Sequence, residues 1–350
     1  MEGHITISNI AKTLGVSAAT VHRALHGKPG VSPAVAAEVC RLAKELGYRN
    51  VPSSALRKKA FTIAAAFPEA TESNRYFYSQ LWLGFHSRTE ELKAYHINLL
   101  EFTYGDGPEN SFPAQLRRLL KETDGKIDGL ITGGRIFKEG FAMLRRLSAS
   151  GVPVVLVTED DPEGDYLCCV QPDFGVDGQM AAEFLSGQLE QSEKILMCAG
   201  DIKLHSNRSC MLGFEQYLNR LPAPRRLIKV YGYPEDPQLR ERIRSLLTSD
   251  PSIGALYSVN LRCSLLLAQM VKELGLEGRI RLTGSDLCPE SALYLKKGVL
   301  NAILFRDPAL QARQGTKRLA DFLLHGIKPP SKSEIIRSTL ILKSNLEQYL

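Results

Sequence analysis

From Phe61 onward, short apolar runs alternate regularly with longer amphipathic stretches. Runs that predict strands are FTIAAAF, HINLLEF, DGLIT, PVVLV, KILMCAG, RLIKVYGY, GALYSV, IRLTGSD and NAILF. Between them lie segments such as SQLWLGFHSRTEELKAY and LQARQGTKRLADFLLHG, whose apolar residues have helical spacing. This alternation predicts parallel sheets covered by helices. Ligands of such sheets bind beyond the carboxyl ends of the strands, so we expect a cleft there.

The first fifty residues have a different pattern, which predicts three short helices. Thr6 is placed to cap the first helix, and Gly15 ends it in a tight turn. Ser17 is placed to cap a second helix over about residues 18–25. A third helix is expected from Pro33 to about residue 46. A glycine turn between two short helices is typical of a helix-turn-helix domain, which we assign to residues 1–50.

The formal net charge of +6 is confined to the N-terminal end of the chain. Residues 1–60 contain nine Lys or Arg and three Asp or Glu, while basic and acidic residues balance in the remainder. This asymmetry favours a polyanion-binding head on a neutral body. A basic surface with no partner is the alternative that charge alone leaves open.

The second helix is the expected DNA-reading element, because its N-terminal residues meet base edges in the major groove. Ser17 and Thr20 carry hydroxyls for phosphates or bases, and Arg23 can bind guanine with two hydrogen bonds. Ala18 and Ala19 offer only apolar contact, for instance to a thymine methyl group. A small helical domain with a polar face and no DNA function is the alternative.

The segment IAKTLGVSAATVHRALHGKPGVSPAVAAEVCRLAKELGY resembles the headpiece of the LacI/GalR family of bacterial transcription regulators. It departs from the family pattern at His22 and His26, where Ser and Asn are usual, so the operator sequence is not transferable. The DNA-binding residues that the pattern and the resemblance imply in the headpiece are Thr6, Ser17, Ala18, Ala19, Thr20, His22, Arg23 and His26.

Residues 51–60 take the place of the family's hinge, a segment that becomes helical on operator DNA. The resemblance implies that Leu56 inserts into the minor groove and that Arg57 binds an adjacent phosphate. The segment is about two residues shorter than the usual hinge. A plain basic linker is the alternative interpretation.

The body, residues 61–350, resembles the two-lobed effector domain of the same family, which has the fold of periplasmic sugar-binding proteins and also carries the dimer contacts. The resemblance implies two similar lobes joined by three crossovers that close on a small ligand. It places the first lobe at about 61–159 and 288–318, and the second at about 160–287 and 319–350. The expected fold class is therefore an all-α headpiece followed by an α/β two-lobed domain.

Positions that match the family's ligand-binding elements form the candidate effector site. An aromatic platform with fixed polar groups is what a sugar site needs. Arg208 and Arg306 would favour an anionic ligand if both point inward, whereas arginines at helix starts can also be surface residues. Tyr76 and Phe77 can equally begin a buried helix. The candidates are Asn74, Tyr76, Phe77, Thr158, Glu159, Arg208, Asn260, Asp286 and Arg306.

Motifs of catalysis or metal binding are not found in this sequence. There is no phosphate loop, no H-E-x-x-H and no G-x-S-x-G, and Gly133–Arg135 is too short for a nucleotide loop. Seven cysteines have no zinc spacing, and four body histidines are scattered singly. We therefore expect no metal, no cofactor and no enzyme activity. No secretory signal and no bilayer-spanning apolar run is seen, so we expect a cytoplasmic protein without membrane contact.

These observations predict a sequence-specific DNA-binding transcription regulator, a repressor, whose operator affinity is controlled by a small molecule. The expected partners are double-stranded operator DNA, a second copy of the chain in a homodimer, and a sugar, sugar acid, sugar phosphate or polyol as effector. Whether the effector releases or recruits the protein stays open. The alternatives are a sugar-binding protein without a DNA function and a cytosolic enzyme on an α/β fold.

Overall fold

Two units make up the chain, with the boundary after residue 58. The computed structural model describes residues 6–25, 28–46, 60–71, 74–92, 95–190, 192–223 and 225–350. Within these ranges, no helix has both the length and the apolar character needed to cross a bilayer.

Three short helices build the N-terminal unit, as the sequence predicts. Gly15 ends the first helix with a left-handed φ of 63°, a conformation that glycine adopts without steric cost. Ile10, Val21 and Val39, one from each helix, are completely buried against one another. The helices are α1 (Ile7–Leu14), α2 (Ala18–Leu25) and α3 (Pro33–Glu45).

The second unit alternates strands and helices along its whole length. Its strands are β1 (Phe61–Pro68), β2 (Ile97–Tyr104), β3 (Gly129–Gly133), β4 (Val154–Val157), β5 (Cys168–Gln171), β6 (Lys194–Cys198), β7 (Leu227–Val230), β8 (Ile253–Ser258), β9 (Arg281–Ser285), β10 (Ala302–Phe305), β11 (Ser333–Ile335) and β12 (Thr339–Ile341). Its helices are α4 (Arg75–Glu91), α5 (Phe112–Glu122), α6 (Lys138–Ala149), α7 (Phe174–Ser186), α8 (His205–Asn219), α9 (Pro237–Ser249), α10 (Leu261–Glu273), α11 (Pro289–Lys296) and α12 (Pro308–His325), followed by a 3₁₀ turn (Leu346–Tyr349).

The strands form two six-stranded sheets with the same spatial order. The first sheet runs β2-β1-β3-β4-β5-β11, and the second runs β7-β6-β8-β9-β10-β12. Neighbouring strands are parallel except β12, which is antiparallel to β10. Each of the first five strands of one sheet therefore has a counterpart in the other, so β4 corresponds to β9 and β3 to β8.

The chain crosses between the two sheets three times, after β5, after β10 and after β11. Lobe 1 consists of residues 61–171 and 308–335, since α12 packs on α4 and on β3 to β5. Lobe 2 consists of residues 174–305 and 339–350.

These lobes differ from the boundaries expected from the sequence. Residues 160–171 and 319–335 lie in lobe 1 rather than in the second lobe, and residues 288–305 lie in lobe 2. Backbone pairing is the cause: β5 pairs with β4, as in Val155 with Cys168, and β10 pairs with β9. The residues of a strand do not by themselves specify the sheet to which the strand belongs. Pairing with a neighbouring strand specifies it.

Both faces of each sheet are covered by helices, with an apolar core on each face, and lobe 1 has a further small cluster that includes Phe61 and Leu324. The central strand β1 is nearly continuous in apolar residues, and seven of its eight positions are buried. This is typical of parallel strands that have helices on both sides. The two sheets thereby hold their strand ends, and the loops that follow them, on rigid scaffolds.

Candidate functional sites

The first turn of α2 presents small and polar side chains to solvent. The hydroxyl of Ser17 accepts a hydrogen bond from the backbone N–H of Thr20 at 3.0 Å and so caps the helix. The two hydroxyls also bond each other at 2.8 Å. Ala18, Ala19 and Arg23 are exposed on the same helix. Helix α2 therefore offers one polar, uncrowded end to a partner.

The other predicted DNA-binding residues have mixed positions. Thr6 is exposed and forms a capping box with Asn9, donating its N–H to Asn9 Oδ1 at 2.8 Å. His22 is half-buried. His26, Leu56 and Arg57, which were predicted to bind DNA, lie outside the described residues, and so do residues 51–59 of the predicted hinge at 51–60.

The basic residues of the N-terminal unit differ in whether they form ion pairs. Arg41 on α3 pairs with Glu38 at 2.5 Å and with Glu45 at 2.6 Å. Both acidic residues of the described headpiece are thus held by one arginine. The headpiece bases that form no ion pair with another described residue are Lys12, Arg23 and Lys28.

In the second unit a cleft lies between the lobes, at the carboxyl ends of both sets of strands. It contains about 710 Å³ of empty space, part of it open to solvent. Aromatic rings, amides, carboxylates and three arginines share its wall. The lining residues are Asn74, Phe77, Tyr78, Gly134, Arg135, Thr158, Glu159, Phe174, Leu204, Ser206, Asn207, Tyr233, Val259, Asn260, Leu261, Arg262, Asp286, Arg306 and Gln311.

Thr158 and Asp286 occupy equivalent places in the two lobes. Thr158 directly follows β4, and Asp286 directly follows its counterpart β9. Both have left-handed backbones, with φ of 67° and 63°, which cost energy for residues with a Cβ. Both residues line the cleft.

Arg306 directly follows β10, at the crossover from lobe 2 to lobe 1, and is the buried centre of an ion-pair network with two carboxylates of lobe 2. Its Nε donates to Asp177 Oδ2 at 2.8 Å, and its Nη1 donates to Asp286 Oδ2 at 3.4 Å and to the carbonyl of Val259 at 3.0 Å. Burial raises the pKa of Asp286 to about 6, although the guanidinium opposes this shift. The charge of Arg306 is therefore already compensated within the protein.

Glu159 joins the two lobes at the side of the cleft. The hydroxyl of Ser206, at the start of α8, donates to its carboxylate, and the Ser206 N–H donates at 3.3 Å. Burial raises the pKa of Glu159 to about 7, while these hydrogen bonds lower it. A carboxylate at a helix N-terminus is favourably placed with respect to the helix dipole.

Arg135, Arg262 and Tyr233 form a second charged group on the wall. The Arg262 guanidinium lies 4.4 Å from the centroid of the Tyr233 ring, and that of Arg135 lies 5.5 Å from it. Burial raises the pKa of Tyr233 to about 12, so the ring carries a neutral phenol. The arrangement is a double cation–π contact made by groups of both lobes.

Several polar groups of the wall have no hydrogen-bond partner in the part of the chain that the structure describes. Buried polar groups are normally paired, so each of these atoms has hydrogen-bonding capacity that the described residues do not use. Asn260 shows how such a group is aimed, since its Oδ1 caps α10 by accepting from the Cys263 N–H at 3.0 Å. The unpartnered atoms are Arg135 Nε, Thr158 Oγ1, Asn260 Nδ2, Arg262 Nε, Asp286 Oδ1 and Gln311 Oε1.

The structure brings together seven of the nine candidate effector residues. These are Asn74, Phe77, Thr158, Glu159, Asn260, Asp286 and Arg306. Tyr76 is not on the cleft wall, and its hydroxyl donates to Glu290 across the lobes at 3.0 Å. Arg208 is exposed and does not line the cleft. Its neighbour Asn207 lines the cleft instead, because one residue along a helix turns the side chain by about 100°.

Other cleft residues were not predicted from the sequence. Arg135, Tyr233 and Arg262 come two to four residues after β3, β7 and β8, so their position after predicted strands was a usable signal. The remaining lining side chains that the sequence analysis missed include Tyr78, Phe174, Asn207 and Gln311.

Two lobes with matching strand order around a polar cleft define the periplasmic binding protein class of fold. The model of the periplasmic binding protein domain matches residues 68–326, about three quarters of the chain. The model named bacterial regulatory proteins, lacI family, matches residues 6–50. The chain belongs to the family of the periplasmic binding protein domain, and it carries a headpiece of the lacI family of bacterial regulatory proteins at its N-terminal end.

Individual proteins show the same relationship. The chain is similar to catabolite control protein A of Staphylococcus epidermidis, with 28% identity over 62% of each chain. It is also similar to the HTH-type transcriptional regulator DegA of Bacillus subtilis, with 24% identity over 70% of this chain and 66% of that protein. It thus spans less than two thirds of either relative's length. The crystal structure of GanP, a glucose-galactose binding protein from Geobacillus stearothermophilus, shares the fold, with a TM-score of 0.70 and 21% identity over 83% of this chain and 99% of that chain.

Proposed function

We propose that this protein is a sequence-specific DNA-binding transcription regulator, a repressor, whose operator affinity is controlled by a small sugar-like effector. The observation that carries the proposal is the pairing of two sites in one chain. Helix α2 exposes a capped polar end in a lacI-type headpiece, and the body holds a cleft lined by unpartnered polar groups. Such a regulator would act in the cytoplasm, where its DNA target lies.

The chemistry of the cleft supports a polyhydroxylated effector. Arg135, Asn260 and Arg262 contribute unpartnered donors, whereas Asp286 and Gln311 contribute unpartnered acceptors. A sugar hydroxyl both donates and accepts, so it can satisfy such a mixed set. The rings of Phe77 and Phe174 on the same wall can pack against the apolar face of a sugar. GanP, which has the same fold, is described as a glucose-galactose binding protein.

Control of DNA binding requires the effector to bind two states of the body with different affinity. A ligand that contacts both lobes favours the closed state, because those contacts exist together only when the lobes are close. In a homodimer on a pseudopalindromic operator, closure in each body would alter the spacing of two headpieces.

DNA binding is tested by fluorescence anisotropy of the full-length protein with duplexes tiled across the region upstream of its own gene. We expect one or a few duplexes to bind in a salt-sensitive, sequence-selective way. Arg23→Ala should weaken that binding by about tenfold or more, because Arg23 is exposed on the reading helix. Arg41→Ala, which removes an exposed arginine paired on α3, is the matched control. Equal affinity for every duplex would contradict the proposal.

Effector control is tested with the operator found in this way. Sugars, sugar acids, sugar phosphates and polyols are screened by thermal shift, and each compound that raises the Tm is added to the anisotropy titration. A ligand of the cleft should change the operator Kd in a dose-dependent way. If every compound that raises the Tm leaves the operator Kd unchanged, the cleft binds ligands without controlling DNA binding, which would contradict the proposed effector control.

A further inference from the structure

Two cations from opposite lobes are held close together at the cleft. Arg135 follows β3 in lobe 1, and Arg262 lies in the first turn of α10 in lobe 2. Their distances to the same Tyr233 ring keep the two guanidinium groups within about 10 Å of each other. Like charges repel more strongly in a partly desolvated cleft than in water. An anion between them would turn this repulsion into attraction.

The carboxylates that already contact these arginines lie on the solvent side. Arg135 Nη1 pairs with Asp106 at 2.9 Å, and Arg262 Nη2 pairs with Glu235. Asp106 is 82% exposed and Glu235 is 51% exposed, so water screens both pairs. Arg135 and Arg262 are themselves only 22% and 11% exposed.

Each arginine has one donor atom without a partner among the described residues. The Nε atoms of Arg135 and Arg262 are buried, and neither has a hydrogen-bond partner among the described residues. An arginine binds a carboxylate or phosphate side-on through Nε and one Nη, and such charge-assisted pairs are among the stronger hydrogen bonds. Both residues therefore retain a charged N–H donor that the described protein residues do not use.

The other ionisable groups named on the wall already have hydrogen-bond or ion-pair partners within the protein. Arg306 is bonded to Asp177 and Asp286, and Glu159 is bonded to Ser206 of the opposite lobe. Arg135 and Arg262 differ from Arg306 in that their carboxylate partners are exposed to solvent, and neither arginine was predicted from the sequence. Arg208, which was predicted, is exposed.

We propose that the effector carries an anionic group, a carboxylate or a phosphate, that Arg135 and Arg262 bind from opposite lobes. This inference rests on the proposed function, because it specifies the class of effector. The anion bridges the lobes only when they are closed. Binding of the anion therefore stabilises the closed state over the open state. Such a difference in affinity between two states is required for an effector to control operator binding.

The test compares matched neutral and acidic sugars on the full-length protein by isothermal titration calorimetry. The probes are glucose, galactose and ribose, the corresponding aldonic and uronic acids, and glucose 6-phosphate, galactose 6-phosphate and ribose 5-phosphate. The variants are Arg135→Gln, Arg262→Gln and Arg262→Lys, and Arg118→Gln is the control. Arg118 is 70% exposed and pairs with Glu122 on α5, away from the cleft wall.

At least one acidic probe should bind the wild type about tenfold or more tightly than its neutral parent. Its Kd should rise about tenfold or more in Arg135→Gln and in Arg262→Gln, recover in part in Arg262→Lys, and stay unchanged in Arg118→Gln. The acid and phosphate arms show which anion is recognised. Unchanged apo Tm values for the variants show that folding is intact.

Two results would overturn the inference. If a neutral sugar binds as tightly as its acids, and both Arg→Gln variants leave that binding unchanged, the effector is neutral and the proposed function stands without the anion. If none of the probes binds at 10 mM (about the weakest affinity calorimetry detects), the anionic sugars are excluded as effectors. The operator titration then decides separately whether DNA binding survives.

Discussion

The carboxylate of Glu159 in lobe 1 accepts hydrogen bonds from both the hydroxyl and the backbone N–H of Ser206 in lobe 2. Glu159 follows β4, and Ser206 lies in the first turn of α8. The contact closes one side of the cleft, while the Tyr76 hydroxyl and Arg75 contact Glu290 elsewhere between the lobes. The closed arrangement is therefore supported by the protein's own side chains.

Glu159→Gln should alter the pH dependence of stability. Burial raises the pKa of Glu159 from 4.5 to about 7, so between these pH values the folded state holds a proton that the unfolded chain releases. The free energy of unfolding of the wild type should therefore fall as pH rises through this window. Relative to the variant, the loss should be on the order of 2 kcal/mol. Urea unfolding at pH 4.5, 6 and 7.5 measures it.

Glu277→Gln, which changes an exposed glutamate, is the control for this experiment and should keep the wild-type slope. Parallel stability curves for wild type and Glu159→Gln across the window would contradict the assignment.

Arg306→Met should be strongly destabilising. The variant keeps much of the side-chain volume but leaves Asp177 and Asp286 buried without their cation. Breaking a buried pair in this way costs about 3–5 kcal/mol. The loss should shrink toward low pH, because burial raises the pKa of Asp286 to about 6 and its carboxyl group can then protonate. Denaturant unfolding at pH 5 and pH 8 checks both statements, and the exposed Arg313→Gln should change stability by less than about 1 kcal/mol.

Gly178→Ala tests the close packing of α7 on α8. A Cβ at residue 178 would lie 2.0 Å from the carbonyl oxygen of Cys210, so the helices would have to separate. We expect a loss of about 1–3 kcal/mol, although alanine is the better helix former. Gly187→Ala, at the end of α7, meets atoms only at 3.7 Å and beyond and should be close to neutral. Equal thermal unfolding of the two variants would refute the packing argument.

Two substitutions of Thr158 distinguish the effect of backbone strain on stability from the effect of the hydroxyl on ligand binding. Its φ of 67° is unfavourable for a β-branched residue, so Thr158→Gly should raise the free energy of unfolding by about 1 kcal/mol relative to Thr158→Ala. Both variants lose the same cleft hydroxyl and should weaken effector binding alike. Urea titrations give the first quantity and calorimetry the second; an alanine variant as stable as the glycine variant would argue against strain.

Much of the architecture was predictable because it depends on short-range patterns. The helices of the headpiece follow from Gly15, from the cap at Ser17 and from apolar residues three and four apart. The strands follow from apolar runs such as FTIAAAF, which bury both faces. Seven of the nine candidate effector residues line the cleft, because each lies near a strand end or a helix start and such positions meet at one edge of a parallel sheet.

The errors have a common physical origin in contacts between distant parts of the chain. Arg208 and Asn207 are both polar residues at the start of α8, and only the packing of that helix on α7 decides which one faces the cleft. The lobe boundaries depend on which sheet edge β5 and β10 complete.

The sequence by itself determined the local elements of this protein: the capped helices of the headpiece, the alternating strands and helices of the body, and the concentration of basic charge near one end. These features rest on propensity, periodicity and composition, which are properties of neighbouring residues. Only the tertiary structure decided that Arg135 and Arg262 share the ring of Tyr233, and that Glu159 reaches Ser206. Those groups meet because the strands of two sheets with the same order end at one cleft. No local sequence pattern specifies how far apart residues of the two lobes lie there.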